Sequence, residues 1–95
     1  MNTLQDRLEE GAECLLSILG SRESIAFYFG YFPAWRAWEL KDTYGLPLIH
    51  CAMRCKEHGL SMDWMGIRYE AAKRGADVDG EVAEAQREMQ LAISE

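Results

Sequence analysis

Two cysteines and a histidine are the residues of this sequence whose spacing best suits the binding of a metal ion. Cys51, Cys55 and His58 fall at positions i, i+4 and i+7 of a segment with helical periodicity. This spacing puts two thiols and an imidazole on one side of a helix, where such soft ligands can hold zinc or another soft transition metal. Paired CxxC or C…H spacing and an evident fourth ligand are absent. We therefore expect reduced, buried thiols beside a surface histidine, with no bound metal and no cofactor.

Residues for covalent or acid-base catalysis do not form a recognisable set in this sequence. A cysteine and a histidine along one helix supply neither an oxyanion hole nor a cleft. The glutamates near both ends of the chain have the spacing of solvated helix faces, and no glycine-rich phosphate loop occurs. We predict no catalytic residues and a protein that is not an enzyme.

Aromatic residues are concentrated in one short window, where seven of the ten lie between Phe27 and Trp38. At about 100° per residue on a helix, most of these rings share one face, whereas Phe29 and Phe32 lie outside or beside it. Large exposed apolar patches are uncommon on monomers, and aromatic anchors dominate the energetics of interfaces. We predict that Phe29, Phe32, Trp35 and Trp38 bind a partner. The alternative is that the window packs in the core.

Residues 46–74 have the outline of a helix-turn-helix, the motif that places a recognition helix in the major groove of DNA. A helix over Leu48–Glu57 precedes a turn, and Ser61 can cap a second helix. Three basic residues of that helix suit phosphate contacts, namely Arg68, Lys73 and Arg74. The N-terminal end of the second helix has few basic or amide side chains that could read bases. The net charge of −6 also opposes DNA binding. We predict a structural αα-hairpin, with a DNA-binding transcriptional regulator as the alternative.

The pattern of apolar residues, prolines and glycines predicts an all-α chain. Helices are expected over residues 4–19, 23–31, 33–43, 48–57, 62–74 and 81–93, with a turn at 77–80. A single kinked helix through Pro33 is the alternative to the second and third of these. The aromatic window has no apparent strand to pair with, so strand content should be near zero, and no internal repeat is visible. We expect one domain, 1–95, that forms a compact bundle of five or six short helices.

Composition is typical of a compact globular protein. The chain has 95 residues, of which 48% are hydrophobic and 27% charged, enough for one modest core. Its negative charge disfavours nonspecific attraction to nucleic acid or to anionic membranes. The N-terminal residues lack a secretory signal, and the longest uncharged stretch, 25–35, is too short to span a bilayer. Three cysteines fit a reducing compartment, so we expect a cytoplasmic protein.

In overall character the chain resembles the small accessory proteins carried by tailed phages and phage satellites. The resemblance lies in the short chain, the acidic helical ends, the degenerate helix-turn-helix at 46–74, and the tryptophans Trp35, Trp38 and Trp64. It implies a protein that modifies a larger packaging, replication, transcription or defence complex by occupying one of its surfaces. With the aromatic window, it predicts a non-enzymatic adaptor or inhibitor that binds another protein or a second copy of itself.

Overall fold

A computed structural model describes residues 3–21 and 30–94, with side chains described as far as Leu91. Five α-helices and two short β-strands follow one another in this part of the chain: α1 Leu4–Ser21, β1 Tyr31–Phe32, α2 Ala34–Tyr44, α3 Leu48–Glu57, β2 Ser61–Met62, α4 Trp64–Lys73 and α5 Asp79–Ser94. The predicted all-α class is confirmed.

Helix boundaries follow local sequence features. At the start of α1, the Asp6 N–H donates to Thr3 Oγ1 at 3.2 Å, and the Thr3 N–H donates to Asp6 Oδ2 at 3.1 Å. This reciprocal cap satisfies N–H groups that have no partner within the helix. At the end of α2, Gly45 adopts a φ of 71°, which closes the helix in a left-handed conformation. The start of α5 differs from the prediction, because this helix begins at Asp79 and takes in part of the expected turn.

The two strands form a parallel pair that the sequence did not predict. Tyr31 lies opposite Ser61, and Phe32 lies opposite Met62. The Ser61 N–H donates to the carbonyl of Gly30 at 2.8 Å. The prediction looked for a partner strand near the aromatic window, whereas the partner lies thirty residues further along the chain. Tyr31 is thus not helical, and residues 23–29 of the predicted helix lie outside the described residues.

The second helix of segment 46–74 begins later than predicted. Ser61 belongs to β2, and the cap of α4 is Asp63, whose Oδ1 accepts a hydrogen bond from the Gly66 N–H at 2.9 Å. The six residues 58–63 that join α3 to α4 exceed the three- or four-residue turn of a helix-turn-helix. The main packing neighbours of these two helices also differ, since α3 packs on α5 and α4 packs on α2.

The described chain contains a structural repeat. The first unit consists of β1, α2 and α3, and the second consists of β2, α4 and α5. Gly45 and Gly75, both with positive φ, follow the first helix of their units. Like elements lie side by side, with β1 on β2, α2 on α4 and α3 on α5. The two units form a short stack, and with α1 they make up the compact bundle of short helices that the sequence predicted.

A single carboxylate connects three helices of the stack. Glu81, in the first turn of α5, accepts a hydrogen bond from the Leu48 N–H of α3 at 3.0 Å. The same side chain pairs with Lys41 Nζ of α2 at 2.6 Å. Pro47 stands at the N-cap of α3 and makes no side-chain cap, so Glu81 supplies the missing acceptor and a favourable charge. This arrangement fixes α5 against the first unit.

Two glycines permit close contacts between helices. A β-carbon added at Gly66 of α4 would lie 2.6 Å from Ala34 Cβ of α2. One added at Gly11 of α1 would lie 2.7 Å from Tyr44 Cβ, also on α2. The carboxyl group of Asp63, the cap of α4, also obstructs a β-carbon at Gly66. Because the β-carbons of Ala34 and Tyr44 are fixed to the backbone of α2, the helices themselves would have to move apart. The position of α2 between α1 and α4 thus depends on the absence of two side chains.

We expect Gly66→Ala and Gly11→Ala each to lower the free energy of unfolding by about 1–3 kcal/mol, because overpacking outweighs the better helix propensity of alanine. Gly80→Ala in α5 is the matched control, since no atom lies within 4 Å of a β-carbon there. The control should be neutral or slightly stabilising. Urea denaturation followed by circular dichroism measures all three, and three equal stabilities would contradict this account.

Candidate functional site

The four residues predicted to bind a partner do not form one surface. Phe32 is 0% exposed and Trp38 is 7% exposed, whereas Trp35 is 49% exposed. Phe29 lies outside the described residues. The expected outward position of Phe32 is wrong because the residue is on a strand, where successive side chains point to opposite faces. Tyr31 therefore faces solvent, while Phe32 enters the core.

Trp38 is also a core residue, contrary to its prediction as a partner-binding residue. The Arg74 guanidinium of α4 lies 5.7 Å from the centre of its ring, which is within the range of a cation–π contact. Its indole Nε1 has no hydrogen-bond partner in the described part of the structure. Trp38 thus contributes to the packing of α2 against α4.

Another set of apolar side chains is exposed on β1, α2 and α4: Tyr31, Trp35, Met65 and Tyr69. We call these four side chains the apolar face. Their exposed fractions range from 48% for Tyr31 to 81% for Met65. Trp35 and Met65 are each the second residue of their helix, and those helices are equivalent elements of adjacent units. Tyr69 follows Met65 by one helical turn. Tyr31 and Met65 line one cavity and therefore lie on the same side of the molecule.

A cavity of about 520 Å³ adjoins the apolar face. It is lined by residues of both strands, α4 and α5: Tyr31, Met62, Asp63, Trp64, Met65, Arg68 and Gln86. Four of these seven side chains are aromatic or methionine, and the other three, Asp63, Arg68 and Gln86, are polar. An apolar concave surface with a few polar groups is typical of ligand and partner sites.

Charged groups border the apolar face without covering it. The Arg36 guanidinium lies 4.6 Å from the centre of the Trp35 ring, and Lys73 Nζ lies 5.1 Å from that of Tyr69. Arg36 also pairs with Glu39 at 2.7 Å. Interfaces commonly combine an apolar centre with a polar rim of this kind.

The three cations proposed for DNA contact all lie against carboxylates. Arg68 pairs with Asp79 at 3.3 Å, and Glu70 pairs with Lys73 at 3.5 Å and with Arg74 at 2.7 Å. The hydrogen bond from Arg74 holds the pKa of Glu70 below its usual range, so this carboxylate stays ionised at neutral pH. Such neighbours repel the phosphates that these cations were predicted to bind. No feature of this geometry favours the DNA-binding alternative.

The cysteines and the histidine of the predicted stripe are in different environments. Cys51 and Cys55 are 1% and 0% exposed, whereas His58 is exposed, with Nδ1 at 3.0 Å from the Arg54 carbonyl. A hydrogen bond to the Cys55 side chain, together with burial, raises the pKa of the Cys51 thiol well above its usual range. Among the described residues, no three His, Cys, Asp or Glu side chains are grouped as metal ligands.

We expect thiol reagents to modify Cys14 in the folded protein much faster than Cys51 or Cys55. Cys14 is only partly buried, whereas the helix α3 thiols are enclosed, and a raised pKa keeps Cys51 protonated and unreactive at neutral pH. Alkylation under native conditions followed by peptide mass mapping measures the order. In urea all three cysteines should react, and rapid native labelling of Cys51 would contradict the burial described above.

Comparisons with known proteins assign no family to the chain. No protein-family model, curated protein or solved structure matches it. Among the described helices, none is both long enough and apolar enough to cross a membrane. The function must therefore be inferred from the surface of the protein itself.

Sequence reasoning missed Tyr31, Met65 and Tyr69 as exposed apolar residues. One available indication was the spacing of Met65 and Tyr69 at i and i+4, on the side of α4 opposite the buried Ile67 and Ala71. To predict that Tyr31 is exposed, the sequence analysis would have had to identify β1, whose pairing partner β2 is distant in the sequence.

We expect Phe32→Ala to lower the free energy of unfolding by about 3–5 kcal/mol, because it removes a fully buried ring from the core. Trp35→Ala should cost much less, within about 1 kcal/mol, because half of that side chain is already in water. Thermal and urea denaturation of the two variants gives the comparison. Similar losses would show that Trp35 also belongs to the core.

Proposed function

We propose that this protein is a non-enzymatic cytoplasmic adaptor or inhibitor that binds another protein through the apolar face. The observation that carries the proposal is the exposure of Tyr31, Trp35, Met65 and Tyr69, of which Tyr31 and Met65 line the 520 Å³ cavity. Contiguous exposed apolar surface is uncommon on monomers and marks interaction sites. The resemblance to phage accessory proteins supports a packaging, replication, transcription or defence complex as the target.

The energetics of the apolar face favour association. Burying one large apolar side chain that was previously exposed contributes about 1.5–3 kcal/mol. Met65 and Tyr69 retain 81% and 63% of their surface in water, so most of that gain is still available to a partner. Both project from a helix packed against α2, so little backbone freedom is lost when such a surface binds.

We expect Met65→Glu or Tyr69→Glu to weaken partner binding by at least about tenfold, because each places a charge at the centre of an apolar contact. Met53→Glu on α3 is the matched control, since Met53 is also exposed but lies away from the apolar face. The measurement is recovery of one partner from the native host by the tagged chain and each variant, followed by titration of that purified partner. All variants should keep the thermal stability of the parent.

Equal binding by Met65→Glu, Tyr69→Glu and Met53→Glu would contradict the proposal. Sedimentation of the purified chain tests the second copy as partner. A dimer that is lost in Met65→Glu and kept in Met53→Glu would identify the apolar face as a self-association surface.

A further inference from the structure

We propose that an arginine of the partner protein binds in the 520 Å³ cavity, with its guanidinium group against an aromatic ring and a carboxylate of the lining. The proposal rests on the proposed function and names the side chain by which the partner is held. It follows from the rings and the charges that line this cavity.

Two aromatic rings line the cavity, those of Tyr31 and Trp64. Three other rings, those of Trp35, Trp38 and Tyr69, each have a cation of this chain beside them. In the described part of the chain, no cation lies over the ring of Tyr31 or Trp64. The two rings of the cavity can therefore accept a cation from outside the chain.

The charges of the lining leave a carboxylate in excess. Arg68, the one cation among the described lining residues, pairs with Asp79 at 3.3 Å. Within the described residues, Asp63 has no salt bridge, and only its Oδ1 accepts a hydrogen bond, from the Gly66 N–H at 2.9 Å. The N-terminus of α4 offsets roughly half a unit of this negative charge. The remainder, together with the net charge of −6, favours a cationic ligand.

Arginine suits this combination better than lysine does, because its flat guanidinium group can stack on a ring while its N–H groups donate to a carboxylate. The chain itself contains two such arrangements. Arg36 lies over the Trp35 ring and pairs with Glu39 at 2.7 Å. Arg74 combines a ring and a carboxylate in the same way. An arginine in the cavity would meet the same two kinds of group.

The rest of the lining suits the apolar stem of an arginine. Asp63 and Trp64 are adjacent residues at the start of α4, and both line the cavity. Met62 and Met65 supply apolar walls, on which the methylene groups of the stem can pack while the guanidinium group stays at the polar end. Tyr69 follows Met65 by one turn of α4, so an apolar neighbour of the arginine would contact it.

The first test uses the full-length chain, isotopically labelled for NMR, and two blocked amino acids, acetyl-arginine methylamide and acetyl-citrulline methylamide. Citrulline has nearly the shape of arginine but carries no charge. We expect the arginine probe to shift the indole N–H resonance of Trp64, and the citrulline probe to bind at least about tenfold more weakly. Equal binding of the two probes, or no binding of either, would overturn the proposal.

Asp63→Asn removes the charge and keeps an oxygen that can cap α4, so its thermal stability should match that of the parent. We expect this variant to bind the arginine probe about tenfold more weakly. Asp63→Ser, which also keeps a capping oxygen, is a second neutral variant. Glu13→Gln on α1 is the matched control, because it changes the net charge equally at an exposed position outside the cavity. Unchanged binding by both Asp63 variants, or an equal loss in the control, would contradict recognition by this carboxylate.

The partner itself separates this proposal from the proposed function, because Tyr69 belongs to the apolar face but does not line the cavity. If the partner binds Tyr69→Glu weakly and Asp63→Asn as tightly as the parent, the apolar face is the interface and arginine recognition is wrong. If the partner binds both variants as tightly as the parent, both proposals fail. Weaker binding by Asp63→Asn alone would support the arginine site and would remove Tyr69 from the interface.

Discussion

The close contact between α2 and α4 at Gly66 determines how the two units stack. Ala34 Cβ occupies the space that a side chain at this position would need, so the N-terminal ends of the two helices can lie together. The same contact aligns the residues that precede the helices, and Phe32 comes to lie opposite Met62. A pair of two-residue strands has too few hydrogen bonds to be stable alone. The helices therefore hold the strands in place, and the buried Phe32 ring joins both to the core.

This stacking also explains why one side of the molecule is apolar. The packed helices α2 and α4 are equivalent elements, and their second residues, Trp35 and Met65, are both exposed. Along α4 the residues Ile67 and Ala71 are buried in the core, which leaves Met65 and Tyr69 directed outward. The apolar face is therefore a consequence of the repeat and not of the density of aromatic residues in the sequence.

Local sequence patterns were sufficient to predict most helices but not the contacts between them. The bounds of α3 and the start of α2 after Pro33 were predicted because proline and glycine act on their own backbone. The strands were missed because the pairing of Tyr31 with Ser61 depends on tertiary contacts. This single error reversed the predicted position of Phe32, since the periodicity of a strand differs from that of a helix. Trp35 alone among the four predicted partner-binding residues is described as exposed.

The two helices of the second unit are covered to different extents. α5 packs on α3, and Glu81 fixes it there through the Leu48 N–H and Lys41. Within the described residues, α4 has α2 on one side, while Met65 on its exposed side is 81% accessible. Stacked repeats bury their apolar faces against neighbouring units, and a terminal unit needs a polar outer face to remain soluble alone. The exposed side of α4 carries the charged Arg68 and Lys73 beside Met65 and Tyr69, so the outer face of this unit is partly polar and partly apolar.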